Sequence, residues 1–383
     1  MQDLRDRFFN DTEYASRLSK LRERMAHEGI DLFISTNPGN VCYLAGHFTQ
    51  AINDPMFLAV PLEGTPLLQL PPFELPRFQA SGAGAEAIST WRFGDEPAQP
   101  VVRELIRRGL AKGKIVIDAG PSFTSLGTIA ALKEGLNAEL MSDLVEGVRL
   151  IKSPAEQDYL RGAGRMTDAG VAAALEAYGE GICDNDVAAA ALEAMVRAGS
   201  EPTVCDPYVC IGWRTGVPHS NRGGTVAQAG DPVFVELGGT RARYTAPMMR
   251  CAVLGEPNSE IRELAETSFK AHTALLGAIR AGVKVSEVSA VGYAAVEPLL
   301  DRIVFHYSYG YAVGLSFPPT WADCPHFPIH AENTATLEAG MVFHVPVMLR
   351  FQGRYGVGCS DTVIVTEEGA ETLSRLPREL LVK

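Results

Sequence analysis

Apolar side chains return at Tyr14, Leu18, Leu21 and Met25, at spacings of four, three and four, which marks one face of a helix over residues 11–29. Asp11 is placed to cap this helix and Gly29 to stop it. Leu32-Phe33-Ile34 is a short continuous apolar run that predicts a buried strand, and Asn37-Pro38-Gly39 then reads as a loop. Further strands are predicted at 56–60, 66–70 and 115–117, with a helix over 100–111 before the last of them. Strands alternating with helices predict an α/β layer built on a mixed sheet.

The pattern changes near residue 150. Ser153-Pro154-Ala155-Glu156 opens a long helix to about 178, because proline is tolerated in a first turn and glutamate suits its positive end. An alanine-rich helix follows over 184–198. Strands are predicted at 231–236, 244–253, 341–347 and 361–365, with helices over 259–281 and 285–300 among them. The expected fold class is α/β (α+β) in two domains, 1–150 and 151–383.

Composition narrows the partners. The 383 residues are 46% hydrophobic and 21% charged, as in a folded globular protein. Lys plus Arg number 34 and Asp plus Glu 46, a net charge of −12, so neither nucleic acid nor a membrane is an expected partner. No window approaches the roughly 18 apolar residues of a membrane span. The start, MQDLRDRFFNDTEY, lacks the apolar core of a signal peptide. Seven scattered cysteines with no CxxC argue against a disulfide framework or zinc ribbon, and the expected location is the cytoplasm. No GxxxxGK[ST] or GxGxxG follows a strand, so no nucleotide cofactor is expected.

Several stretches, in order, carry a resemblance. They are the hinge from Arg149 to Glu156, Pro218-His219-Ser220-Asn221, the strand pair 231–250, and Tyr309-Gly310-Tyr311-Ala312-Val313-Gly314. Leu337-Glu338-Ala339-Gly340-Met341-Val342-Phe343 and Gly358-Cys359-Ser360-Asp361-Thr362 complete the set. Together they resemble the creatinase/prolidase/methionine aminopeptidase superfamily. The resemblance implies a small creatinase-like N-terminal α/β domain, a C-terminal pita-bread catalytic domain, and a homodimer in which the small domain closes a neighbour's site.

In that superfamily two Asp, one His and two Glu hold a pair of divalent ions. The corresponding positions here are Glu236, Pro247, Tyr311, Pro346 and Ser360. One carboxylate and two hydroxyls fall short of a usual site for such ions, so the resemblance implies a metal-free member without cofactors. The run from Glu236 to Arg250, with Arg243-Tyr244-Thr245-Ala246-Pro247-Met248-Met249-Arg250, is similar to the ectoine hydrolase pattern, as is Gly310 to Trp321. The segment 45–55 departs from it.

The implied substrate is a small cyclic amidine or related compatible solute. An amidinium carries its own positive charge at the carbon to be attacked and needs a base or nucleophile more than a Lewis acid. Glu236, the one acid left at the five positions, takes that role, and His219 is the candidate proton shuttle. Tyr311 is either a hydrogen-bond donor to substrate or a packing aromatic. Trp213 and Trp321 are candidate walls for a cation or simple packing, and His330, with His326, a candidate lining residue. His344 reads as a satisfied core histidine, Asp361 as structural, and Arg250 as its core's ion-pair partner, while Arg243 is open to either a substrate or a core carboxylate. Two further readings stay open: a creatinase-like hydrolase of another amidinium or guanidinium compound, and a catalytically silent binding protein.

Overall fold

A computed structural model describes residues 6–88, 91–92, 94–118, 124–323 and 327–383. The chain divides into two compact units, Met1–Arg149 and Leu150–Lys383. The first contains α1 (Asp11–His27), β1 (Leu32–Ser35), α2 (Pro38–Ala45), β2 (Phe57–Pro61), β3 (Leu67–Gln69), α3 (Leu75–Ser81) and β4 (Glu86–Ile88). After these come α4 (Ala98–Arg107), β5 (Ile115–Asp118), α5 (Leu126–Leu136), β6 (Glu139–Met141) and α6 (Glu146–Arg149). The strands form one mixed sheet in the order β4-β3-β2-β1-β5-β6, with β1 antiparallel to β2 and parallel to β5.

Two local expectations are corrected here. The cap of α1 is Asn10, whose side chain accepts the Glu13 amide at 2.8 Å, and Asp11 is the first helical residue. Asn37-Pro38-Gly39 opens a helix and is not a loop: Asn37 accepts from the Gly39 amide and Pro38 presets the first turn of α2. Cap and proline are read as turn punctuation when the helix behind them is only eight residues long.

The second unit opens with α7 (Pro154–Ala177), α8 (Asp184–Arg197), β7 (Tyr208–Ile211), β8 (Pro232–Arg241) and β9 (Tyr244–Val253). Then come α9 (Ser259–Ala278), α10 (Val285–Val296), β10 (Tyr311–Ala312), β11 (Val342–Phe351), β12 (Tyr355–Val365), β13 (Ala370–Thr372) and β14 (Leu381–Val382). Its sheet runs β10-β11-β12-β9-β8-β7, with β13 added on β12 and β14 on β9. Along that path every pairing is antiparallel.

Strand alternation sorts the faces. Val233, Val235 and Leu237 of β8 pack in a core with Val171 and Ala174 of α7 and Val187 and Ala191 of α8. Phe234 points the other way, into a core shared with α9, α10 and β11. Glu236 is the acidic member of the face that Phe234 occupies. No described helix is long and apolar enough to cross a membrane.

The start of α7 is fixed by a reciprocal cap. Ser153 Oγ accepts the Glu156 amide and the Ser153 amide donates to Glu156 Oε2 at 2.8 Å. The other Glu156 oxygen accepts the Tyr244 hydroxyl at 2.7 Å, which ties the helix to β9. Ser153→Ala should lower unfolding free energy by about 1 kcal/mol in denaturant titration, the usual worth of an N-cap; an unchanged midpoint would show that the Glu156–Tyr244 bond alone fixes this end.

Candidate active site

Alternate residues of β7 and β8 meet across their ladder. Tyr208 opposes Glu236 and Cys210 opposes Phe234, and all four line a cavity of about 420 Å³. That volume suits a small molecule. A row crosses the sheet from there: Glu236 opposes Met249, Met249 pairs with Ser360, and Ser360 opposes Pro346. Two residues before Pro346, His344 opposes Tyr311. The same alternation sets His344, Pro346, Met348 and Arg350 on one face of β11, and the last three line the cavity. The short strand β10 can come this close because Gly310 lacks a side chain: a Cβ there would stand 2.6 Å from the His344 carbonyl oxygen.

Glu236 is enclosed on the protein side and keeps 17% of its side-chain surface, which faces the cavity. Its carboxylate makes no hydrogen bond to a described residue, and the nearest ion-pairing atom is His344 Nε2 at 3.8 Å. Burial pushes its pKa up to about 7, and the charge of Arg350 opposes that rise only in part.

Beside it, the indole N–H of Trp321 donates to the Tyr311 hydroxyl at 2.6 Å. That hydroxyl meets His344 Nδ1 at 2.9 Å, and His344 Nε2 meets Ser360 Oγ at 2.6 Å. His344 is fully buried, and burial holds its pKa down to about 3, so the ring is neutral and carries one N–H. When Ser360 donates to Nε2, Nδ1–H donates to Tyr311 and leaves the phenolic proton free to point into the cavity. Burial and the neighbouring Glu236 both raise the Tyr311 pKa, so it remains a donor.

His219 lines the cavity, held by a backbone in the left-handed region at φ 56°, with its ring centroid 5.5 Å from that of His306. Both histidines are solvent-exposed, which places them at the open rim. Thus Glu236, His219, Tyr311 and Trp321 come together around one cavity.

Trp213 and His330 do not join them. Trp213 is 54% exposed on a short 3-10 turn, with the Arg214 guanidinium 5.0 Å from its ring centre, and lies outside the cavity lining. His330 is also outside that lining, and its Nδ1 accepts the Glu332 amide at 2.9 Å in a turn. His326 lies outside the described residues. Arg250 pairs with Asp361 at 2.9 Å, both fully buried, as expected. The Arg243 guanidinium donates to the Ser316 and Pro202 carbonyls. His306 and Arg350, both lining the cavity, escaped the sequence reading. The signal available for Arg350 was its even spacing from His344 and Pro346 along a strand.

The residues at the five metal-ligand positions do not fit a pair of divalent ions. Prolines 247 and 346 offer no side-chain donor. The His344 ring lies between Tyr311 and Ser360, bonded to both, and 3.8 Å from Glu236. It therefore fills the space between three of the five positions. Among the described residues, no three His, Cys, Asp or Glu side chains are gathered so as to hold a metal ion.

A two-domain α/β chain with this sheet order and a single acid in the cavity of its C-terminal unit has the architecture of the pita-bread hydrolases. Residues 158–367 match the model of metallopeptidase family M24, and residues 17–179 that of the creatinase/prolidase N-terminal domain. The chain belongs to metallopeptidase family M24. It is 30% identical over 381 residues to a probable dipeptidase PepE of Mycobacterium tuberculosis, covering 98% of each chain. It is 27% identical over 410 residues to the ectoine hydrolase of Halomonas elongata, again covering 98% of each. The crystal structure of dipeptidase PepE from Mycobacterium ulcerans superposes with a TM-score of 0.83 at 27% identity, covering 98% of this chain and 99% of that one.

The state of Glu236 has a measurable consequence. Its folded pKa, about 7, lies above the ordinary 4.5, so the folded protein holds this proton more tightly than the unfolded chain. Its contribution is neutral below about pH 4.5 and increasingly destabilising up to about pH 7, reaching about 3 kcal/mol. Glu236→Gln should therefore match the wild type near pH 4.5 and exceed it by up to that amount at pH 8, read as a growing gap in unfolding midpoints. A gap that does not change with pH would mean that the carboxylate is ionised throughout.

Proposed function

We propose that this protein hydrolyses a C–N bond in a small cyclic amidine without metal, and that ring opening of ectoine to an N-acetyl-diaminobutyrate is its reaction. The observation that carries this reading is Glu236: an acid with no hydrogen-bond partner among the described residues, facing a small cavity at a position where the family places a metal ligand. An amidinium entering the cavity supplies the missing cation and draws the carboxylate into its ionised form. Glu236 then either takes a proton from water as the oxygen bonds to the amidinium carbon, or bonds to that carbon itself and is released by water. In both routes a proton reaches the leaving nitrogen, the C–N bond breaks, and the carbon remains as an amide. His219 at the rim is the proton donor of this scheme, and Tyr311 orients the reacting carbon's substituents.

The mycobacterial relatives are named dipeptidases. A peptide carbonyl is a weaker electrophile that the family activates by polarisation on metal, and the donor set of Glu236, Tyr311, Ser360 and two prolines opposes that reading. Turnover of ectoine, creatine and Xaa-Pro dipeptides by the purified protein separates the possibilities, and turnover of the dipeptide alone would sink the proposal. Glu236→Gln should reduce ectoine turnover by three to five orders of magnitude, about 4 to 7 kcal/mol of barrier, and His219→Ala by two to four orders. Retention of activity within about tenfold by Glu236→Gln would rule out its role. Elemental analysis should find no stoichiometric Mn, Co or Zn, and chelators should leave turnover unchanged; loss to chelator with restoration by one of these ions is the contrary outcome.

A further inference from the structure

Among the described residues five arginines are buried, and the guanidinium groups of four of them hydrogen-bond to the protein. Arg17 bonds Glu13 and the Tyr43 carbonyl, Arg149 bonds Asn40, Arg243 the Ser316 carbonyl, and Arg250 bonds Asp361. Arg350 differs. Its residue is 8% exposed, its Nε is buried without a partner, and no hydrogen bond or ion pair joins its guanidinium to any described residue. It lines the same cavity as Glu236, six residues along β11 from His344 and on the same strand face.

A guanidinium cannot shed its charge at neutral pH, so its desolvation must be offset by an anion or by water. The groups whose charges reach it are Glu236, Cys210 and Cys251. Burial pushes the two thiols up to about 11 and about 12, so they are neutral, and Glu236 is the carboxylate of the set. Yet Glu236 and Arg350 do not close into an ion pair. The cavity thus presents one unpartnered carboxyl group and one unpartnered guanidinium to whatever fills it.

We infer that Arg350 receives an acid group of the substrate, so that the cavity selects small zwitterions carrying a carboxylate as well as a cationic amidine. This rests on the proposed function for the end that Glu236 takes, and it adds the other end. Guanidinium binds carboxylate through two parallel N–H···O bonds, which fixes direction as well as affinity. With the acid group held by Arg350, the cationic carbon is turned towards Glu236, and His306 at the rim is within reach of the Arg350 charge.

The test compares wild type, Arg350→Met and Arg350→Lys on ectoine and on its ring without the carboxylate, 2-methyl-1,4,5,6-tetrahydropyrimidine. Arg350→Met should raise KM for ectoine at least a hundredfold while changing kcat less than tenfold. Its affinity for the carboxylate-free ring should stay within threefold, and Arg350→Lys should recover at least tenfold of the loss. Because no described residue hydrogen-bonds or ion-pairs with the Arg350 guanidinium, the thermal midpoint of Arg350→Met should be equal or higher. A KM within threefold of wild type, or equal losses for both ligands, overturns the assignment. If the wild type ignores both rings, the same variants are read by thermal shift with Ala-Pro and with propionate. Arg350-dependent stabilisation by these would retire the amidine reading and keep the carboxylate one; no stabilisation of the wild type by any carboxylate overturns it.

Discussion

Keeping a carboxylate from water without giving it a partner raises the free energy of the folded state, and the arrangement of this site depends on that cost at Glu236. The β8 ladder leaves little choice: Val235 and Leu237 are committed to the core with α7 and α8, so Glu236 must face the opposite side with Phe234. What surrounds it there is arranged to leave it unsatisfied. His344 is neutral and bonded to Tyr311 and Ser360, Tyr311 already accepts the Trp321 indole, and the thiols nearby are protonated. The acid is therefore poised near neutrality, and a cation in the cavity meets it without having to displace an internal partner.

On the proposed reading, the same geometry lets an M24 scaffold serve a chemistry that needs no pair of metal ions. The sheet, the glycine-permitted approach of β10 and the cap of α7 are structural requirements of the fold and remain. The donors are not, and function on a shared fold resides in such local sets. A buried histidine bridges two of these positions, Tyr311 and Ser360, and Pro346 lines the cavity with no side-chain donor.

Much of the fold was legible because periodicity and caps are local. The start of α7 could be read from Ser153-Pro154-Ala155-Glu156, and the long strands β8 and β9 from their apolar runs. The start of α2 could not, since Asn-Pro-Gly fits a turn as well as a cap when little helix follows. At the site, Glu236, His219, Tyr311 and Trp321 were reachable through an ordered resemblance. Trp213 and His330 were chosen by residue type alone, and residue type does not say which way a turn points. Arg350 was missed for the reverse reason: an arginine among apolar neighbours on a strand reads as an edge charge until the register shows which face it shares. His344 was rightly read as satisfied, but its partners, Tyr311 and Ser360, are distant in sequence and only the paired strands bring them to it.

On the proposed reading, Glu236 waits as an acid and becomes a carboxylate when a cation arrives. Calorimetric binding of ectoine at pH 6 in buffers of different ionisation enthalpy, using a slow variant such as His219→Ala to suppress turnover, reads this directly. With a pKa of about 7, the account predicts release of close to one proton per ligand bound, and none when Glu236→Gln is added. Binding without proton release, or release that persists in the Gln variant, would contradict it.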